Sequence, residues 1–450
     1  MRTATQTVFT FLNKVLLSFL AFINSALAAR TLAKGDRVQF QFAGTVTTTG
    51  TTFVGGYTGY YAYALPKSPA DTERIVHTGT WFVAFACVLV WGGEWLLVRV
   101  LGLHLSAAWA WAVACMPLNF VFGFGTRLLQ GSDEITWLNR ANTVQPLLFL
   151  VTYVPLWLHR QLPESARILW TYRLWWLSFA VAALCSVGIA FWRLRRQGRL
   201  QNLFPAWRGW SRHHIRGTLD YGSWLSVSYV VNYANLRMDF WWVLGMLPAR
   251  VASDYGIAVT SSEVLVTIAN SVASVVFTRM TGGPRQDAIR ITQAAVRQTL
   301  LSATAVAAVM CVTFPWLIVT VFGARYQPAV VPFLILLPGL VFRASGLLII
   351  QYATNQLGNP RISIWMNGVS AAMCAAVAAA AVPRLGLAGG AVASTTSYVV
   401  SYALYVAWFA RHTGTPARDL YTIRAGDLAP YRQMAQRMWR RVTRRKQGAA

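Results

Sequence analysis

The chain has 450 residues, of which 56% are hydrophobic and only 12% charged, with a formal net charge of +26. Soluble domains carry about 25% charged residues, so this composition excludes an ordinary globular protein. The basic residues cluster between apolar segments and in the C-terminal tail. Contact with anionic membrane lipid accounts for that pattern, and no nucleic-acid partner is expected.

Apolar segments of about 20 residues recur along the whole length, which predicts an all-α polytopic membrane protein with about twelve transmembrane helices. The first segment, MRTATQTVFTFLNKVLLSFLAFINSALAAR, has the basic start and small-residue end of a cleaved signal peptide. Asn13 and Lys14 interrupt its apolar stretch, so a retained first helix is expected instead. The expected spans are 8–29, 38–65, 76–101, 105–128, 135–158, 168–192, 218–247, 252–279, 293–322, 328–356, 361–382 and 386–410. The second contains GTVTTTGTTFVGGYTGYY (44–61), a composition suited to a re-entrant or cavity-lining helix and not to a lipid-facing one.

Arginine placement sets the expected orientation. The segment RLRRQGRLQNLFPAWRGWSRHHIR (193–216) and the tail beyond Arg411 lie on one side of a twelve-span topology, with Arg279, Arg285 and Arg290. Single arginines such as Arg250, Arg325 and Arg384 lie on the other. The positive-inside rule places both termini in the cytoplasm of a multi-pass protein of the cell inner (plasma) membrane. The expected organisation is a six-helix bundle at 1–192, a basic linker at 193–217, a second bundle at 218–411 and a basic tail at 412–450. Six spans per half give both halves the same orientation, so a symmetry axis would run along the membrane normal. Within the tail, APYRQMAQRMWRRVTRRK (429–446) has the spacing of a surface amphipathic helix.

Polar stripes mark three spans. Span eight carries Thr260, Glu263, Thr267, Asn270 and Ser274 at helical steps, and span seven carries Ser228, Asn232, Asn235 and Asp239. Tyr229, Tyr233 and Arg237 lie on the opposing side of span seven, while span one shows Thr7, Thr10, Lys14, Ser18 and Ser25. A central charge costs about 2.5–3.5 kcal/mol to insert, so these faces belong in a wet cavity or a helix seam. Hydroxyl stripes alone also serve helix packing. Each helical residue turns about 100°, so Arg237 and Asp239 cannot pair with each other. Arg237 is expected to face the cavity and Asp239 an adjoining helix. The substrate-binding candidates are Arg237, Lys14, Tyr233, Asn270 and Arg343, the last near the middle of its span. Asp239, Glu263 and Glu94 are the candidates for a structural or coupling charge; Glu263 is placed to pair with Arg237 or to carry a proton.

No catalytic motif is present: the chain has no phosphate loop, no HExxH and no GxSxG. Cys87, Cys115, Cys185, Cys311 and Cys374 are scattered singly, and the adjacent His213 and His214 lie in a basic loop, so no metal site is expected. The longest loop opposite the termini is expected at 159–167, too short for an active site. A transporter with no cofactor is expected, coupled to H+ or Na+ if to any ion.

Several segments of the second half carry a family likeness. FPWLIVTVFGARYQPAVVPFLILLPG (314–339), VPRLGLAGGAVASTTSY (382–398), DYGIA (254–258) and YATNQLGNPR (352–361) resemble the polysaccharide flippases of the multidrug/oligosaccharidyl-lipid/polysaccharide exporter (MOP) superfamily. AARTLAKGDRVQF (28–40) is similar to the end of that family's first helix, without the usual Gly after the acidic residue. The resemblance implies a MATE-like fold and a flippase for O-antigen or exopolysaccharide synthesis. Its cargo would be an undecaprenyl-diphosphate-linked oligosaccharide, moved from the cytoplasmic to the periplasmic leaflet by alternating access. A polysaccharide polymerase and other assembly proteins are then the expected partners. The rivals are a cation-coupled drug or metabolite antiporter of the same fold, which would favour an acidic cavity, and a polysaccharide polymerase or ligase, which would need a long periplasmic loop.

Overall fold

The computed structural model describes residues 2–100, 106–159, 162–202, 211–280, 285–353, 357 and 360–422, with side chains omitted for 2–12, 267–280, 285 and 360. Asn270 and the tail segment 429–446 therefore lie outside the described side chains and residues. The described chain forms twelve long helices and no strand. The first six are α1 (Arg2–Thr31), α2 (Lys34–Lys67), α3 (Thr72–Trp95), α4 (Ala107–Gly131), α5 (Ile135–Leu158) and α6 (Glu164–Arg196). The second six are α7 (Arg212–Met246), α8 (Ala249–Met280), α9 (Arg285–Phe322), α10 (Val330–Gln351), α11 (Pro360–Leu385) and α12 (Leu387–Thr413). Each expected span falls on one of them.

Among the described residues, eight helices are long and apolar enough to cross a membrane; α2, α7 and α12 are less apolar, and α8 is described with side chains only over its first half. Hydroxyls and amides dilute α2, α7 and α12, and the fold turns much of that polarity inward. On α12, Ser394, Ser397 and Ser401 are buried; on α7, Ser226, Ser228, Asn235 and Asp239 are buried. On α2, Thr45, Thr47 and Thr58 are buried. Thr45 donates to Gln41 O at 2.9 Å and Thr58 to Gly55 O at 3.1 Å, while Thr47 reaches across to Ala112 O on α4. Hydroxyls satisfied by nearby carbonyls do not need water, which lets so Thr-rich a helix sit inside the protein. The helix α2 is continuous, so of the two expected forms the interior helix is found and the re-entrant one is not.

Packing repeats after six helices. In the first half α2 packs on α4, α4 on α6, α1 on α5 and α5 on α6; in the second α8 packs on α10, α10 on α12, α7 on α11 and α11 on α12. The seam between the bundles repeats as well, because α2 lies against α7 and α8 against α1. Lipid tails offer no hydrophobic drive for such seams, so close approach of backbones takes its place. At Gly56 of α2 an added Cβ would stand 2.2 Å from the Ser226 backbone nitrogen of α7. One apolar core lies in the first bundle around Tyr61, Phe124 and Leu128; another, around Phe240, Phe333 and Leu336 of the second, also takes in Ala26, Ala29 and Val38 of α1 and α2. Large side chains such as Phe85, Leu184, Val312 and Trp365 point outward, as a lipid-facing surface requires.

Candidate functional site

Polar residues of α1, α2, α7 and α8 meet at the seam between the bundles, whereas Asn232 and Asn235 of the α7 stripe turn into the second bundle. Arg237 of α7 forms an ion pair with Glu263 of α8, with Nη1 2.8 Å from Oε1 and Nη2 donating to Oε2 at 3.3 Å. Its guanidinium also lies 5.9 Å from the ring centre of Tyr233, one turn earlier on the same face. The Tyr233 hydroxyl donates across the seam to Thr45 O of α2 at 3.5 Å. Two residues on, Asp239 is buried at 2% exposure and points elsewhere. Its Oδ1 accepts from the Phe240 backbone at 2.7 Å and its Oδ2 from the Tyr255 hydroxyl of α8 at 2.5 Å. The two charges thus face different partners, and Glu263 takes the cation.

The other candidates are spread along the bundle interiors. Arg343 of α10 donates to Asn232 Oδ1 of α7 at 3.0 Å and stacks over Tyr398 of α12 at 4.9 Å. Lys14 of α1 is half-buried, next to Asn13, whose amide donates to Asn139 O of α5 at 3.2 Å. Glu94 stands at the end of α3, a helix that packs on α4, α2 and α7, and the structure does not bring it to the other charges.

Sequence reasoning passed over Arg37, which is the most enclosed cation near the seam at 3% exposure. One turn into α2, its Nη1 donates to Gln41 Oε1 at 3.0 Å and to Ser253 O of α8 at 3.1 Å, and its Nη2 to Ser25 Oγ of α1 at 3.3 Å. Arg37 and Gln41 line a cavity of about 260 Å3 bounded by Asn24, Gln145, Phe149, Trp175 and Thr260. The signal was a basic residue beside Asp36 at a helix start, which looks like an ordinary loop charge. Lys34 was missed for the same reason. It bonds both carboxylate oxygens of Asp254 on α8, at 2.7 and 3.0 Å, and so joins the equivalent ends of α2 and α8.

No family profile matches the sequence, and no curated protein sequence matches it. Solved structures do match. An inward-facing multidrug resistance transporter of the MATE family, MOP superfamily, superposes with a TM-score of 0.65 over 88% of this chain and 94% of that one, at 13% identity. The chain has a MATE-like fold. The lipid II flippase MurJ, in an inward closed conformation, gives a TM-score of 0.63 at 12% identity over 92% of this chain and 89% of that one. A MOP superfamily transporter from Pyrococcus furiosus, described as having a binding pocket of reverse polarity, gives 0.59 at 15% identity over 89% and 95%. Placed in the MATE-like fold, the α1/α8 and α2/α7 contacts are the seam between the two bundles, and Arg237, Glu263 and Arg37 all lie along it.

Proposed function

We propose that the chain is a flippase that moves undecaprenyl-diphosphate-linked oligosaccharide across the inner membrane by alternating access of its two bundles. One observation carries the reading. Lys14, Arg37 and Arg343 reach the interior with no carboxylate in ion-pair distance among the described residues. Interior cations with neutral partners retain their charge for a cargo, and a diphosphate offers the complement. Arginine adds paired donors that fit phosphate oxygens. The aromatic walls Phe149 and Trp175 suit sugar rings, whose C–H faces stack on aromatics. The longest connection on the α5–α6 face runs from Trp95 to Ala107 and not, as expected, across 159–167, where Leu158 and Glu164 bound a shorter one; both leave little material for the catalytic loop of a polymerase.

Deletion of the gene should leave lipid-linked repeat units on the cytoplasmic leaflet and deplete surface polysaccharide. Unchanged polysaccharide with no precursor accumulating would overturn the reading. A cation-coupled antiporter of the same fold is the second reading, favoured by the carboxylate of Glu263 in the seam. It predicts ion-driven drug efflux in sensitised cells, which the flippase reading does not.

A further inference from the structure

We infer that the pocket between Arg30, Arg167 and Arg325, on the face opposite the C-terminal end of α12, binds a phosphate-type anion. The pocket measures about 590 Å3 and is built from the end of α1, the α5–α6 corner and the α9–α10 turn. No carboxylate lines it among the described residues. Three cations around one opening raise the local potential and draw counter-anions to it.

Backbone carbonyls hold the three guanidiniums in place. Arg30 donates to Val321 O at 2.6 Å and to Thr320 O. Arg325 donates to Leu32 O at 2.8 Å and to Ala29 O, and Arg167 to Thr31 O at 2.9 Å. These carbonyls end α1 and α9, where the helix dipole also favours a cation. Capping alone would explain the bonds made. It does not explain the donors left over. A guanidinium has five N–H donors, and the carbonyls take two from Arg30, two from Arg325 and one from Arg167. Arg167 Nε and Trp157 Nε1 belong to residues that line the pocket, and both atoms are buried with no hydrogen-bond partner. Asp36 lies within electrostatic reach of Arg167 and Asp254 within reach of Arg325, so the three cations are offset only in part. Buried donors are normally satisfied, so a pair of orphans on residues beside this net positive charge points to a ligand rich in acceptors. Phosphate oxygens fit, since they accept from planar forks in pairs and from a neutral indole N–H. Arg30 and Arg167 belong to the first bundle and Arg325 to the second, so an anion bound here ties the bundles together at this face.

The full-length protein in detergent micelles is titrated with inorganic diphosphate at constant ionic strength, with chloride as control, while its melting temperature is followed. Diphosphate should raise the midpoint saturably beyond the effect of chloride. Trp157→Phe keeps the ring and removes the indole donor; Arg167→Lys keeps the charge and removes Nε. Each should weaken apparent affinity by about tenfold, the effect of one lost charge-assisted hydrogen bond. A second arm repeats the titration in nanodiscs of zwitterionic lipid with and without phosphatidylglycerol. Loss of the diphosphate shift when phosphatidylglycerol is present identifies a lipid headgroup as the natural anion, and an equal shift in both identifies a soluble one. Absence of a saturable shift in both micelles and zwitterionic discs overturns the site, as does a shift that both variants leave unchanged.

Discussion

Arg237 of α7 and Glu263 of α8 form a 2.8 Å ion pair with side chains only 18% and 31% exposed. The pair changes what a substitution at Arg237 measures. Arg237→Ala leaves Glu263 without its counter-charge inside a seam. Breaking a fully buried pair costs about 3–5 kcal/mol, and partial exposure at both ends lowers this to about 1–3 kcal/mol. Folded yield and melting temperature should therefore fall in Arg237→Ala and recover in part when Glu263→Ala is added. A four-variant cycle by thermal unfolding should give a coupling of about 0.5–3 kcal/mol. Strict additivity would show that the two side chains do not depend on each other.

Asp239 should behave as a structural group. Its oxygens hold the Tyr255 hydroxyl of α8 and the Phe240 amide, both buried. Asp239→Ala orphans those donors, at about 1–3 kcal/mol, and should reduce the inserted, folded protein. Asp239→Asn keeps an acceptor and should restore much of the yield. The comparison is read as monodisperse protein after extraction. Equal losses in both variants would mean that the carboxylate's charge, and not its hydrogen bonds, is what the fold uses.

These two residues also mark how far the sequence could be read. Helical phase alone put Arg237 and Asp239 on opposite faces, and hydropathy placed α5 at 135–158, the limits observed. Both are local properties. The partner of Asp239 could not be found that way, because Tyr255 looks like one more interior aromatic. The inter-bundle contacts were less legible still. Lys34 and Asp254 are 220 residues apart, and each alone is a charge at a helix end where solvent is the default. Arg37 sits one turn beyond Lys34, so its burial depends on α8 and α1 closing over it. Most of the helices follow from apolar length, whereas the seam rests on the six-helix repeat of packing, which apolar length does not display.

Acid should loosen the start of α7. His214 lies ahead of the expected span 218–247, is buried, and has Nδ1 3.1 Å from the Tyr60 hydroxyl of α2. Burial pushes its pKa below the usual value, with His213 and Arg74 adding to the effect and Asp71 opposing it. The unfolded chain, with an imidazole near about 6.5, then binds more protons than the folded one just below that pH. Stability is fully present above about pH 6.5 and is lost as pH falls toward and through the folded-state value. Melting temperature should drop between roughly pH 7 and 5, and His214→Gln should flatten that slope. A slope unchanged by the substitution would assign the acid sensitivity to other groups.

The last relationship tests the seam itself. Lys34 and Asp254 join the equivalent ends of α2 and α8, and Arg37 adds a bond to the neighbouring Ser253 carbonyl. Asp254 is only 6% exposed in this arrangement. If the bundles part at this face during transport, these contacts exist in one conformation and not in the other, so they set the balance between the two. A differential of about 1.4 kcal/mol shifts such a balance tenfold. Lys34→Ala should then favour opening, because Asp254 loses its partner in the closed form and gains water in the open one. Ser25→Cys, in a background without the native cysteines, reports the change, since Ser25 lines the cavity beside Arg37. Labelling by a membrane-impermeant thiol reagent should quicken by about tenfold in Lys34→Ala. The charge swap Lys34→Asp with Asp254→Lys should slow it again, because the pair is re-formed with its ends exchanged. Labelling at one rate in all three proteins would mean that this ion pair staples the fold and takes no part in opening it.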